Sequence, residues 1–252
     1  MSHKIAVITG GSRGLGRNGA LKLAEKGVDV IFTWRSKEQE AQAVVKEIEA
    51  LGARGVALQL DVGDSQAFPG FVSEVQKQLK AIWQRDRFDY LLNNAGTALH
   101  EPFASTTEAQ LEALVNVHFK GPFFLTQQLL PLIADGGHIL NVSSGLTRFS
   151  QPGSGAYAAV KGAMEVLTRY QAKELAARGI RVNILAPGAI ATDFSDGRVR
   201  DNPQINAFIS SVTALGRVGL PDDIGKAIAM LFSDESAWIT GQRIEASGGM
   251  FL

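Results

Sequence analysis

Three side chains in the stretch Asn141 to Lys161 (NVSSGLTRFSQPGSGAYAAVK) have the types and spacing for chemistry at a carbonyl or alcohol oxygen. Tyr157 and Lys161 stand four residues apart in a helix-like segment, Ala156 to Arg178, which puts both on one helix face. An ammonium beside a phenol favours the phenolate, so Lys161 is expected to lower the Tyr157 pKa from its reference of about 10. A tyrosine tuned this way can donate or accept a proton. Ser144 follows an apolar run, His138 to Val142, that reads as a buried strand. Its hydroxyl could add a second hydrogen bond to the same oxygen as charge builds there. A Tyr-x-x-x-Lys alone reads equally well as solvated helix surface. The surrounding elements decide between the two.

A strand over Lys4 to Ile8 runs into Thr9-Gly-Gly-Ser-Arg-Gly-Leu-Gly16 and then a helical stripe that stops at Gly27. Strand, glycine loop and helix together lay phosphate oxygens on free N–H groups at a helix N-terminus. Gly10, Gly14 and Gly16, with Ser12, Arg13 and Leu15 between them, are the candidate contacts. The second strand, Val28 to Phe32, ends in Thr33-Trp-Arg-Ser36. An acidic residue near this end would accept hydrogen bonds from a ribose 2′-hydroxyl. Arg35 stands there instead, beside Ser36 and with Arg13 in the loop, which suits a 2′-phosphate and hence NADP(H). Two solvated surface arginines are the competing reading.

Further strands are expected over Val56 to Leu60, Phe88 to Leu92, His138 to Val142, Arg181 to Ala186 and Gln242 to Glu245. Helices are expected over Lys37 to Leu51, Ser65 to Trp83, Thr107 to Leu132 (one long helix, bent near Gly121-Pro122) and from Pro221 onward. The alternation predicts an α/β fold, one mostly parallel sheet with helices on both faces and a single domain over 1–252. Asp61-Val62, Asn93-Asn-Ala95-Gly96, Ser144 and Pro187-Gly188 all follow strand ends. In an open α/β sheet those ends share one edge, where ligands bind. Residues 189–211 are polar and poorly periodic, and are expected to form a lid over the substrate.

The 252 residues carry zero formal net charge with ordinary apolar and charged fractions, 45% and 20%. That gives no support for nucleic acid or an anionic membrane as partner. No apolar run is long enough to span a bilayer, and the opening MSHKIAVITGG reads as a first strand with no signal peptide. Cysteine is absent and the four histidines are scattered, so no metal site is expected. A cytoplasmic protein acting on a small molecule is the default.

Taken together, TGGSRGLG, Asp61-Val62, NNAG, Asn116, Ser144, YAAVK, the PG-x-x-x-T of Pro187 to Thr192 and the C-terminal ITGQ…GG resemble the short-chain dehydrogenase/reductase family. Within it, the 3-oxoacyl-(acyl carrier protein) reductase type is most similar. The resemblance covers nearly the whole chain, including the thirteen-residue step from Ser144 to Tyr157. It implies a Rossmann-type, doubly wound, seven-stranded sheet in the order 3-2-1-4-5-6-7 and NADP(H)-dependent reduction of a ketone, aldehyde or 3-oxo ester. Tyr157 would be the acid/base, Ser144 the oxygen-positioning donor, Lys161 the group that tunes the tyrosine and holds the nicotinamide ribose, and Asn116 the holder of a relay water. Thr192 and Ile190 would grip the carboxamide, and Asp61 and Val62 would border the adenine. A homotetramer is implied as well. Alternatives are a 3-oxoacyl-(acyl carrier protein) reductase, an oxidative alcohol, sugar or steroid dehydrogenase, and a non-catalytic dinucleotide sensor. Two departures stand out: a longer segment before NNAG, and Asp135 where carrier-protein reductases tend to carry a basic residue, although Arg178 stands where a second docking arginine is expected.

Overall fold

The structure is a computed structural model that describes residues 3–252. Met1 and Ser2, which belong to the expected N-terminal stretch and to the unit expected over 1–252, lie outside the described residues. Seven parallel strands form one sheet: β1 Ile5–Ile8, β2 Asp29–Trp34, β3 Gly55–Gln59, β4 Phe88–Asn93, β5 Ile133–Val142, β6 Arg181–Pro187 and β7 Arg243–Ala246. Their order is β3-β2-β1-β4-β5-β6-β7, so the chain reverses direction of travel between β1 and β4. Helices α1 Gly14–Ala24, α2 Glu38–Ala50, α3 Phe68–Trp83, α4 Glu108–Val115, α5 Gly121–Leu129, α6 Gly155–Glu174, α7 Arg198–Asp201, α8 Pro203–Ser211 and α9 Pro221–Phe232 fill the crossovers. None is long and apolar enough to cross a membrane.

Strand periodicity divides the core in two. Ala6, Ile8, Val30 and Phe32 pack with Leu23, Val44, Ile48, Ile228 and Phe232 of α1, α2 and α9. Ile5, Val7, Ile31, Leu91 and Ile139 face the other way, onto Phe71, Val75 and Leu79 of α3 and Leu125 and Leu129 of α5. Burying both faces accounts for the near-continuous apolar runs of the central strands.

Three expected elements differ. The long helix over Thr107 to Leu132 is interrupted by a π-helical stretch, Asn116–Lys120, and ends in a 3₁₀ turn at Leu130–Leu132. Gly121 permits it: a Cβ there would lie 2.4 Å from the Val62 carbonyl oxygen. Strand β5 begins at Ile133 rather than His138, because a register shift against β4 absorbs the residues between. Ala134-Asp135 therefore lies in that strand. Residues 189–211 are not irregular, since they hold a 3₁₀ turn, Phe194–Gly197, followed by α7 and α8. Asn202 starts α8 by accepting from the N–H groups of Gln204 and Ile205.

Candidate active site

At the C-terminal edge of the sheet lies a cavity of about 670 Å³. One end is lined by the turn between β1 and α1. Gly10 and Gly14 have φ of 67° and 57°, a region that favours glycine. A Cβ on Gly16 would stand 2.2 Å from the Gly10 carbonyl oxygen, so loop and helix pack at a distance no side chain tolerates. Asn94 braces the turn by donating to the Thr9 and Gly10 carbonyls, each at 3.0 Å. No side chain caps α1. Its first-turn N–H groups and the exposed Arg13 and Arg35 along the same cavity form a donor set that fits the phosphates of a dinucleotide.

At the other end, Lys161 is 5% exposed and donates to the Val142 carbonyl at 2.8 Å. Its ammonium lies 5.7 Å from the centre of the Tyr157 ring. Burial pulls Lys161 down to about 8. Tyr157 borders the cavity, yet the protein around it keeps water away and pushes the phenol above its usual range, with a hydrogen bond involving Ser144 acting in the opposite direction. The expected lowering of Tyr157 by Lys161 is therefore not what this structure gives. Desolvation is the larger cause, and the Lys161 ammonium donates to the Val142 carbonyl.

Of the residues expected at the site, the cavity brings together Gly10, Ser12, Arg13, Gly14, Leu15, Arg35, Ser36, Asp61, Val62, Ala95, Gly96, Ser144, Tyr157, Lys161, Pro187, Gly188, Ile190 and Thr192. Gly16, Asn93 and Asn116 are not among its lining. Gly16 acts through the close packing just described. Asn93 is buried behind the edge, donating to Thr126 Oγ1 at 3.0 Å and Asn141 Oδ1 at 2.8 Å. It ties β4 to its neighbours, while Asn94 lines the cavity.

Asn116 begins the π-helical stretch, and its carbonyl accepts from Gly121 N–H. This stretch delivers Val117 and His118 to the cavity; His118 is buried, with its ring 5.3 Å from that of Tyr157 in an edge-on contact. His118 Nε2 lies 2.8 Å from the Thr97 carbonyl, and Nδ1 has no partner within the protein. Burial, then the nearby Lys161 charge, push His118 down to about 3, so it is neutral. Sequence reasoning missed it because a π turn shifts helical phase. A polar residue just before Gly121-Pro122 was the available signal.

Residues 10–251 match the family described as enoyl-(acyl carrier protein) reductase. The chain is 35% identical over 251 residues to a 3-oxoacyl-[acyl-carrier-protein] reductase, FabG, of Staphylococcus aureus, covering 99% of this chain and 98% of the relative. The chain belongs to the short-chain dehydrogenase/reductase family. This dehydrogenase/reductase is also similar to two solved structures. One is the promiscuous reductase LugOII, which catalyses keto-reduction at C1 during lugdunomycin biosynthesis (37% identity, TM-score 0.93, covering 98% of this chain and 96% of that one). The other is the angucycline C-6 ketoreductase LanV with bound NADP (33% identity, TM-score 0.93, covering 98% and 95%). The protein is an oxidoreductase of the ketoreductase kind.

Proposed function

We propose that the protein uses NADPH to reduce free small and medium carbonyl compounds, bulky or aromatic ketones and 3-oxo esters among them, to alcohols. The observation that carries this reading is that Ser144, Tyr157 and the buried Lys161 line one end of a dinucleotide-sized cavity, with the Lys161 ammonium 5.7 Å from the Tyr157 ring. NADPH, when bound, supplies the hydride. Tyr157 gives its proton to the carbonyl oxygen as charge builds there, and Ser144 donates a second hydrogen bond to that oxygen. Lys161 stabilises the phenolate left behind. Arg13 and Arg35 hold the 2′-phosphate, the α1 N-terminus the pyrophosphate, Asp61 and Val62 the adenine, and Ile190 and Thr192 the carboxamide.

The substrate end is walled by Leu146, Phe149, Phe194, Ile205, Phe208 and Ile209. Residues 189–211 cover it as a lid, and an apolar wall of this kind suits a free ketone. An acidic carrier protein would need a basic patch beside the mouth. Arg178, however, donates to Asp135 at 2.8 Å and to the Leu130 and Ile133 carbonyls, and Arg87 lies 3.5 Å from the same carboxylate. These cations are spent within the fold. Exposed Leu111, Phe124, Val166 and Tyr170 on α4, α5 and α6 support association of copies, proposed as a homotetramer in the cytoplasm. The test compares kcat/KM for one 3-oxoacyl group on carrier protein and as a simple thioester. Comparable values are expected. A hundredfold preference for the carrier, about 2.7 kcal/mol, would establish the carrier-linked activity instead.

A further inference from the structure

Behind Ser144 the chain is stitched to its own C-terminus by four alternating charges, from α6, the loop after β5, and β7. Glu165 of α6 accepts from Ser143 Oγ at 2.6 Å, Thr147 Oγ1 at 2.7 Å and Arg243 Nε at 2.8 Å. Arg243 continues to Glu245 at 2.8 Å, and Glu245 receives a forked pair of bonds from Arg148, at 2.8 and 2.7 Å. Arg148 then reaches past Glu245 to the carbonyls of Met250, at 2.5 Å, and Phe251, at 3.1 Å. Such forked, charge-assisted bonds fix geometry as well as charge.

The segment so held is strained, and its Met250 lines the cavity. Phe251 has φ of 53°, a left-handed conformation that a bulky side chain keeps only where its surroundings impose it. Its N–H donates to the Val212 carbonyl at 2.8 Å, and Met250 pairs with Thr213 just past α8. The Phe251 ring lies 4.8 Å from that of Phe149 and 6.5 Å from that of Phe208. Phe149, Phe208 and Met250 all line the substrate end of the cavity. Met250 is 4% exposed and packs with Ile209 and Val218 in a small core separate from those of the sheet. Two aromatic rings and an adaptable thioether make a surface for a flat, multi-ring ligand.

We propose that Arg148 is a specificity-positioning residue: by tying the Met250 and Phe251 carbonyls to the loop that carries Ser144, it sets the far wall of the substrate chamber for fused-ring aromatic ketones. This rests on the carbonyl-reductase reading. Arg148 itself touches no reacting atom. Its loss frees the C-terminal segment, so the effect falls on the affinity of substrates long enough to reach that wall. A short substrate held at Ser144 and Tyr157 is affected less.

The experiment measures NADPH-dependent reduction of 1-tetralone, a two-ring ketone, and of ethyl 3-oxobutanoate by the parent protein, Arg148→Ala, Arg148→Lys and Phe251→Ala. Calorimetric binding of 1-tetralone in the presence of NADP⁺ is measured alongside. Arg148→Ala is expected to raise the KM and Kd for 1-tetralone about tenfold, with kcat changed less than threefold, and to raise the KM for the ester less than threefold. Arg148→Lys, keeping the charge without the fork, should fall between. Phe251→Ala should reproduce the split, and decides the matter if Arg148→Ala does not fold. Equal losses on both substrates, a loss confined to kcat, or no binding of 1-tetralone by the parent overturns the inference. If the parent reduces neither compound yet binds 1-tetralone with the predicted dependence on Arg148, the functional reading fails and this inference stands.

Discussion

The two ends of the sheet use the same residue types to opposite effect. At the N-terminal end, buried charge is answered from within the fold. Asp29 accepts from Arg54 N–H and from Trp83 Nε1, each at 2.7 Å, and Asp89 accepts from Lys4 at 3.0 Å, Ile5 N–H at 2.9 Å and Arg85 at 2.9 Å. The longer segment before Asn93 supplies Trp83 and Arg85 for this purpose. At the crevice end, partners are missing. Helix α1 has no side-chain cap, His118 Nδ1 has no acceptor or donor, and among the described residues neither Arg13 nor Arg35 makes an ion pair. His138 Nδ1, buried near the other end, also has no partner, so the contrast holds for the carboxylates and not for every polar group. The contrast teaches that location in the sheet, more than residue type, separates stabilising charge from working charge.

Substitutions at the two ends should accordingly separate activity from stability. The largest effect is expected from Lys161→Ala, which should lower turnover on the order of 10³-fold and weaken cofactor binding, with little change in melting temperature. A rate within tenfold of the parent would contradict the assignment. At the opposite end, Asp89→Ala should leave kcat/KM nearly unchanged. It should destabilise the fold by about 2–3 kcal/mol, because the buried Ile5 N–H loses its acceptor. Chemical denaturation reads this directly, and an unchanged midpoint would show that the pairing there is idle.

Arg35→Asp should reverse cofactor preference by about tenfold to a hundredfold, about 1.4 to 2.7 kcal/mol. Equal kcat/KM for NADPH and NADH in the parent would remove Arg35 from the 2′-phosphate. The smallest effect concerns pH. Burial holds His118 and His138 at about 3 in the fold, against the ordinary 6.5 in the unfolded chain. Below pH 6.5 the unfolded chain binds the extra protons, so stability falls as pH drops toward 3. Each ring contributes a slope of up to about 1.4 kcal/mol per pH unit. His138→Gln should lessen the fall in denaturation midpoint between pH 6.5 and 4.5. An identical slope would mean that His138 does not carry it.

Most of the frame was legible because the central strands are apolar on both faces and the loops after β4, β5 and β6 open with asparagine, serine and glycine. The errors share a cause, which is that sequence shows order along the chain but not depth or phase. Asn93 and Asn94 are neighbours, yet strand alternation buries one and turns the other to the cavity. The π-helical stretch that Asn116 opens turns Val117 and His118 to the cavity, a phase that a regular helix would not give. The sign of the Tyr157 shift depends on how dry its surroundings are, which Tyr-x-x-x-Lys spacing does not encode. Helix α8 was not legible because its start rests on one capping residue, Asn202, and its apolar residues pack on a small satellite core rather than on the sheet.

The central claim is that Tyr157 supplies the proton for carbonyl reduction in a site that binds NADPH independently of it. NADPH oxidation in the presence of a panel of ketones and 3-oxo esters, measured for the parent and for Tyr157→Phe, tests it most directly when paired with the NADPH Kd of each. The expected result is turnover by the parent and a loss on the order of 10²-fold or more in the variant, with Kd changed less than threefold. Retention of more than half the parental rate would contradict the account.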